Sequence, residues 1–94
     1  MKATYNGKTI AESTNTRIIE GNHYFPPNDV NQKFLVKSDT HTTCPWKGEA
    51  SYYSIKADGD VSKDAAWYYP STSEKAKIIE NYIAFGEDVE VSDN

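Results

Sequence analysis

Three dipeptides constrain the fold of this chain more than any other feature: Asn6-Gly7, Gly21-Asn22 and Asp58-Gly59. Each sits between short runs of strand-forming residues. A two-residue type I′ turn needs positive φ at both central positions, and Asn-Gly and Asp-Gly supply it at little steric cost. "KATYNGKTIAES" therefore predicts one hairpin, and "TRIIEGNHYF" predicts strand halves around Gly21-Asn22 in a I′ or II′ turn. "GEASYYSIKADGD" predicts a strand running into a third turn. A chain punctuated this way folds from antiparallel neighbours, not from βαβ crossovers.

The segments between fill in the pattern. In "PPND" proline cannot donate to a ladder, so the sheet stops there and a short turn or 3₁₀ segment follows through Asn31. "KFLVKS" reads as a buried or half-buried strand. In the next strand Ala50, Tyr52 and Ser54 share one face, with Ser51, Tyr53 and Ile55 on the other. "AAWYYP" is a strand ended by Pro70. Ser71 and Glu74 stand at capping-box spacing, and Ala76, Ile79 and Ile83 fit one helical face. That helix could run to Gly86 or end in the left-handed region at Asn81. Tyr82, Phe85, Val89 and Val91 are strand formers and favour the second reading, with "YIAFGEDVEV" a hairpin-like strand pair. The final "SDN" is expected to fray. The expectation is seven or eight short strands and one short helix: a mainly β, antiparallel single domain over residues 1–94.

Composition narrows the function classes. Apolar residues are only 37%, yet aromatics reach 13%, so seven tyrosines, three phenylalanines and two tryptophans must supply much of the core. The net charge is −4 and Arg17 is the only arginine, which excludes a clustered phosphate-binding surface and hence nucleic acid as main partner. No run approaches the ~20 apolar residues of a membrane span. The polar N-terminus does not read as a signal peptide. One cysteine forms no internal disulfide, which predicts a cytoplasmic protein.

The chemical candidates gather in "HTTCPWKGEASYY", residues 41–53. A nucleophilic Cys44 would need its thiolate favoured by His41 or Lys47, each three residues away. The structural alternative is a small buried residue packed under Trp46. His41-x-x-Cys44 is half a zinc site, but His23 is the only other strong donor, so no metal or cofactor is expected. Asp58 and Asp60 place carboxylates at i and i+2, as two-metal phosphoryl enzymes do, but Asp-Gly is also the ordinary hairpin turn. Glu20, Asp29, Asp39 and Glu49 have no spacing that fixes a catalytic pair. Alternation puts Trp67 and Tyr69 on one face, with Tyr52 on a neighbouring strand. Such a cluster is either core or a pocket with π-faces for a flat ring or a cation.

Four stretches, "IIEGNHYFPPNDV", "HTTCPWKGEASYYS", "AAWYYP" and "IAFGEDVEV", resemble the motifs of a small, mainly bacterial family. It is known as domain-of-unknown-function family 427 and labelled a nucleotidyltransferase-like domain. The resemblance runs from Lys2 to Val91. It implies a β-tent fold of two antiparallel sheets leaning together, as in Mss4-like and methionine-sulfoxide-reductase-B-like domains. Several such relatives hold zinc by two C-x-x-C pairs, which a chain with one cysteine cannot do, and Cys44 does not reproduce the reductase context. The family pattern falls on Glu20, Gly21, Tyr24, Phe25 and Pro26, then Thr43, Cys44, Trp46, Lys47, Gly48 and Tyr52, then Trp67, Tyr69 and Pro70. Turns or close backbone approach explain Gly21 and Gly48, and packing explains Tyr24 and Phe25.

The resulting expectation is a binding module. A small aromatic, nucleotide-like or cationic ligand would sit in an aromatic-lined pocket around "CPWKG". Its walls would be Glu20, Tyr24, Cys44, Trp46, Lys47, Tyr52, Trp67 and Tyr69. The rivals are an enzyme, by nucleotidyl transfer or thiol chemistry at Cys44, and a protein-interaction domain.

Overall fold

The computed structural model describes residues 1–93. Nine strands form among them: β1 Lys2–Tyr5, β2 Lys8–Glu12, β3 Arg17–Ile19, β4 Asn22–Tyr24, β5 Leu35–Cys44, β6 Gly48–Ala57, β7 Asp60–Tyr68, β8 Ile83–Phe85 and β9 Glu90–Ser92. Every pairing is antiparallel. The sheets are β2-β1-β9, β3-β4 and β5-β6-β7-β8, three where two were expected. The extra division has a local cause. Phe25 exchanges both backbone bonds with Ile83 (2.8 and 2.9 Å), which would join β4 to β8. Pro26 and Pro27 then end the ladder after that single bridge, leaving β3-β4 a separate hairpin.

The turns obey the sequence with one shift. Asn6-Gly7 has φ of 52° and 76°, and Asp58-Gly59 has 52° and 85°. The third turn is Glu20-Gly21 (54° and 80°), one residue earlier than expected, and Asn22 opens β4. Strand period explains the shift. Pairing Ile19 with Asn22 turns Tyr24 inward, 1% exposed, whereas a one-residue slip would send that ring to solvent. The Asn6-Gly7 and Asp58-Gly59 turns are tied together, since the Asn6 amide donates to Asp60 (3.0 Å) and to the Ala57 carbonyl (3.3 Å).

No α-helix forms among the described residues. Glu74–Ile79 is a 3₁₀ helix. The Ser71–Glu74 capping box is not made: Ser73 takes the N-terminal position and its hydroxyl donates instead to the Trp46 carbonyl. Ala76 and Ile79 are buried as the helical spacing required. Asn81, at φ 66°, ends the segment, so Ile83 belongs to β8. The strand formers beyond it do form strands, but not a hairpin with each other: β8 pairs with β7 and β9 with β1. All three residues of β8 are buried, and a strand covered on both faces gains more inside the larger sheet than in an exposed two-stranded ribbon. Ser92, expected to fray, pairs with Lys2; Asn94 lies outside the described residues.

Alternation divides the core between the faces of the four-stranded sheet. Ile83 and Phe85 join Phe25, Ile55, Ala66 and Ile10 in one cluster, and Phe25 and Phe85 meet edge-to-face at 5.4 Å. Ala84 faces the other way, toward Tyr24, Ala50, Tyr69, Ala76 and Ile79. β6 serves both sides: Tyr53 stacks on Tyr68 at 5.0 Å while Tyr52 lies opposite Trp67. The regular alternation breaks where the register shifts between Tyr53 and Ile55. There Asp64, at φ 54°, donates its amide to the Ser54 hydroxyl and accepts the hydroxyls of Ser38 and Thr40, pinning three strands at the bulge. No helix among the described residues is long and apolar enough to cross a membrane.

Candidate functional site

Lys47 is the pivot of the predicted motif. It sits in the β5–β6 turn but is only 6% exposed. Gly48 makes that burial feasible. Its φ is +119°, and a Cβ there would come within 2.7 Å of the Ser71 carbonyl oxygen, so the turn lies directly against the segment after β7. Ser73 completes the dock, its amide donating to the Lys47 carbonyl (3.3 Å). Folded back this way, the Lys47 ammonium donates to Glu20, which reaches it from the β3–β4 turn. It also lies 5.2 Å from the Trp46 ring centroid and 5.6 Å from that of Tyr69.

The electrostatics follow from that enclosure. Burial works to lower the Lys47 pKa, but the Glu20 hydrogen bond and the nearby Tyr24, Tyr69 and Cys44 groups outweigh it, holding the pKa above its ordinary value. The hydrogen bond from Lys47 and its charge hold the Glu20 carboxyl below its ordinary value. Burial raises the Tyr69 pKa, with Lys47 opposing. A lysine held charged is not a nucleophile; it is a cation clamped by a carboxylate and two rings.

The other predicted residues join this group in a string. The Trp67 indole N–H donates to the Tyr24 hydroxyl (3.3 Å), and Tyr52 and Trp67 pair at 6.4 Å and 45°. The Tyr52 and Thr42 hydroxyls bond at 2.9 Å. Cys44 is half-buried against the same cluster. The eight predicted residues thus form one connected assembly, with Trp46 37% exposed. His41 does not turn to Cys44. Its ring faces the Ser51 hydroxyl (3.3 Å) and Glu49 (3.9 Å). Asp58 stands in the hairpin turn and pairs with Lys8 (3.7 Å), and Asp60, the first residue of β7, accepts from Asn6. No group of three or more His, Cys, Asp or Glu is placed to hold a metal among the described residues.

A cavity of about 360 Å³ lies at the other end of the string, not beside Lys47. Trp67 walls it. β4 contributes Asn22 and His23, the β8–β9 connection contributes Gly86 and Glu87, and Val89 and Val91 close the apolar side. His23 is held by Thr16 (3.0 Å). A shallower recess of about 250 Å³ continues past Gly86 and Glu87 to Asp64 and Asp88. Of the eight predicted residues, only Trp67 lines the larger cavity; Tyr24 supports it from behind. Sequence reasoning missed Asn22, Gly86, Glu87 and the two valines. The signal available was "FGED", a turn between two strand segments that themselves belong to different sheets, where a cleft opens between neighbours.

No curated protein matches the chain. The profile of a family described as a domain of unknown function (DUF427) matches residues 1–93, almost the full length, with the Glu20, Lys47 and Trp67 assembly inside it. The chain therefore belongs to the domain-of-unknown-function family DUF427.

Proposed function

We propose that the chain is a single small β-tent-type domain acting in the cytoplasm as a small-molecule binding module, with its ligand in the cleft over Trp67. The observation that carries this reading is a cavity of about 360 Å³ walled by a half-buried tryptophan. Its volume lies at the low end of the roughly 300–1,000 Å³ typical of ligand sites, and it combines an aromatic wall, two valines and a few polar groups. The Glu20–Lys47–Trp46 assembly serves it from a distance. By clamping the β3–β4 turn to the β5–β6 turn, the ion pair holds Gly21, Asn22 and Tyr24 against Trp67. Trp46 keeps a second aromatic surface partly open beside the clamp.

The test is a two-dimensional amide NMR titration against pooled metabolites, including ATP with Mg²⁺. Shifts concentrated on Gly21, Trp67, Gly86 and Glu87 support the reading. Shifts confined to Trp46–Gly48 would move the ligand to the motif turn, and silence from every pool would refute small-ligand binding. The thiol-enzyme alternative has its own check: a Cys44 alkylation rate by iodoacetamide still rising at pH 9 would remove it.

A further inference from the structure

Resting on that binding reading, we infer that the cleft over Trp67 selects a small organic cation, an ammonium or pyridinium group carried on a ring or short chain. With histidine counted neutral, the only charged residue lining the cavity is Glu87. No lysine or arginine lines it. The acidic groups nearby differ in what they already hold. Asp64 accepts from Ser38 and Thr40, Asp88 accepts from Ser62, and Glu20 is taken by Lys47. Glu87 has no ion pair or side-chain hydrogen bond among the described residues. It stands in the turn between β8 and β9, at the edge of the aromatic wall.

Several of the donors on the cleft wall are spent elsewhere, leaving the Asn22 side-chain amide and His23 Nε2 as the side-chain donors an anion could use. The Trp67 indole N–H is committed to Tyr24, the Gly86 amide to the Ala65 carbonyl (2.7 Å) and the Val89 amide to the Gly86 carbonyl (3.1 Å). His23 Nδ1 is engaged by Thr16. With its N–H engaged by Tyr24, the indole offers the cleft its carbon framework, and an indole π-face is the aromatic surface that best attracts cations. The same chain already shows the chemistry: its own Lys47 ammonium is held by one carboxylate and two aromatic rings. At the Trp67 cleft, the carboxylate and the ring are present and the cation is not supplied by the chain.

The experiment titrates labelled protein with benzyltrimethylammonium chloride, benzyl alcohol and sodium benzoate at constant ionic strength. The expected result is movement of the Trp67 indole N–H, Gly86 and Glu87 signals by the ammonium alone. In Glu87→Gln, which alters an exposed turn residue and leaves the indole signal in place, binding should weaken about fivefold, the order of one surface cation–carboxylate contact. Gly86→Ala, whose added methyl would sit 3.8 Å from the Trp67 ring, should weaken it by narrowing the cleft. Equal or tighter binding of benzoate or benzyl alcohol, or an unchanged affinity in Glu87→Gln, would overturn the charge selection while leaving ligand binding intact. Silence from all three probes with metabolite-induced shifts at Trp67 would overturn it equally; silence from probes and metabolites together would refute both.

Discussion

Replacing Gly48 by alanine should be among the most damaging single-methyl additions in this protein, and the reason is geometric. Three glycines give a graded series. At Gly59, φ is +85° and nothing lies within 4 Å of an added Cβ, so only left-handed strain remains, about 1 kcal/mol. At Gly86 φ is not in the left-handed region and the new contacts are 3.5 and 3.8 Å, so the change should be within about 0.5 kcal/mol of neutral. At Gly48 two penalties combine. A φ of +119° is a conformation L-residues rarely adopt, worth roughly 1–3 kcal/mol. The 2.7 Å approach to the Ser71 carbonyl adds a steric term, and a backbone oxygen cannot swing aside as a side-chain tip can. Forced overpacking typically costs about 1–3 kcal/mol, giving roughly 2–6 kcal/mol in all. A chain of 94 residues has about 5–14 kcal/mol to lose. At about 4–8 °C per kcal/mol, the melting temperature should fall by roughly 8–48 °C. Urea melts of the three variants, followed by far-ultraviolet circular dichroism, provide the assay. Gly48→Ala should also perturb the Lys47–Glu20 clamp, visible in their amide shifts. If Gly48→Ala cost no more than Gly59→Ala, the close docking of the motif turn on Ser71 would be refuted.

Three further outcomes follow from the geometry. The Lys47–Glu20 pair is asymmetric, since the lysine side chain is 8% exposed and the glutamate 56%; Lys47→Met should therefore be tolerated better than Glu20→Gln, which strands a buried ammonium. A urea midpoint lower for Lys47→Met than for Glu20→Gln would contradict this. Stability should be flat near neutrality and fall at both extremes. Glu20, Asp64 and Glu80 have lowered pKa values, so the unfolded chain takes up protons first and stability is lost as pH falls through and below the ordinary carboxylate range. Lys47, Tyr53 and Tyr69 are raised: stability drops as unfolded tyrosines ionise, and the Lys47 contribution is lost as pH rises through its folded value. Urea midpoints across pH 3 to 11 that peaked at either end would be inconsistent with these directions. Finally, Phe25→Ala should lose about 3–5 kcal/mol and Phe25→Leu far less, because Phe25 is fully buried against Phe85 where the proline-terminated hairpin meets β8. Equal loss in chemical denaturation would mean the site collapses around either side chain.

The sequence alone determined what depends on neighbours in the chain. Asn6-Gly7 and Asp58-Gly59 specify their turns because positive φ is a local property, and Asn81 ends its segment for the same reason. Period-two alternation put Trp67 and Tyr69 on one face with Tyr52 on a neighbouring strand, and Tyr52 stands directly opposite Trp67. Cys44, Trp46 and Lys47 were legible as unusual, and with Glu20 they do assemble. Tertiary structure decided whatever depends on a distant partner. A buried tyrosine, not turn propensity, moved the β3–β4 turn to Glu20-Gly21. The capping box lost because Ser73 bonded to the docked motif turn and the chain had to reach Asn81 within one 3₁₀ segment. β8 and β9 read as a hairpin because adjacency is all a sequence offers; β7 and β1 outcompeted that pairing by taking them into two different sheets, which buries β8. The cleft over Trp67 exists only because those two sheets part at Gly86 and Glu87, a gap between surfaces that no stretch of residues encodes by itself.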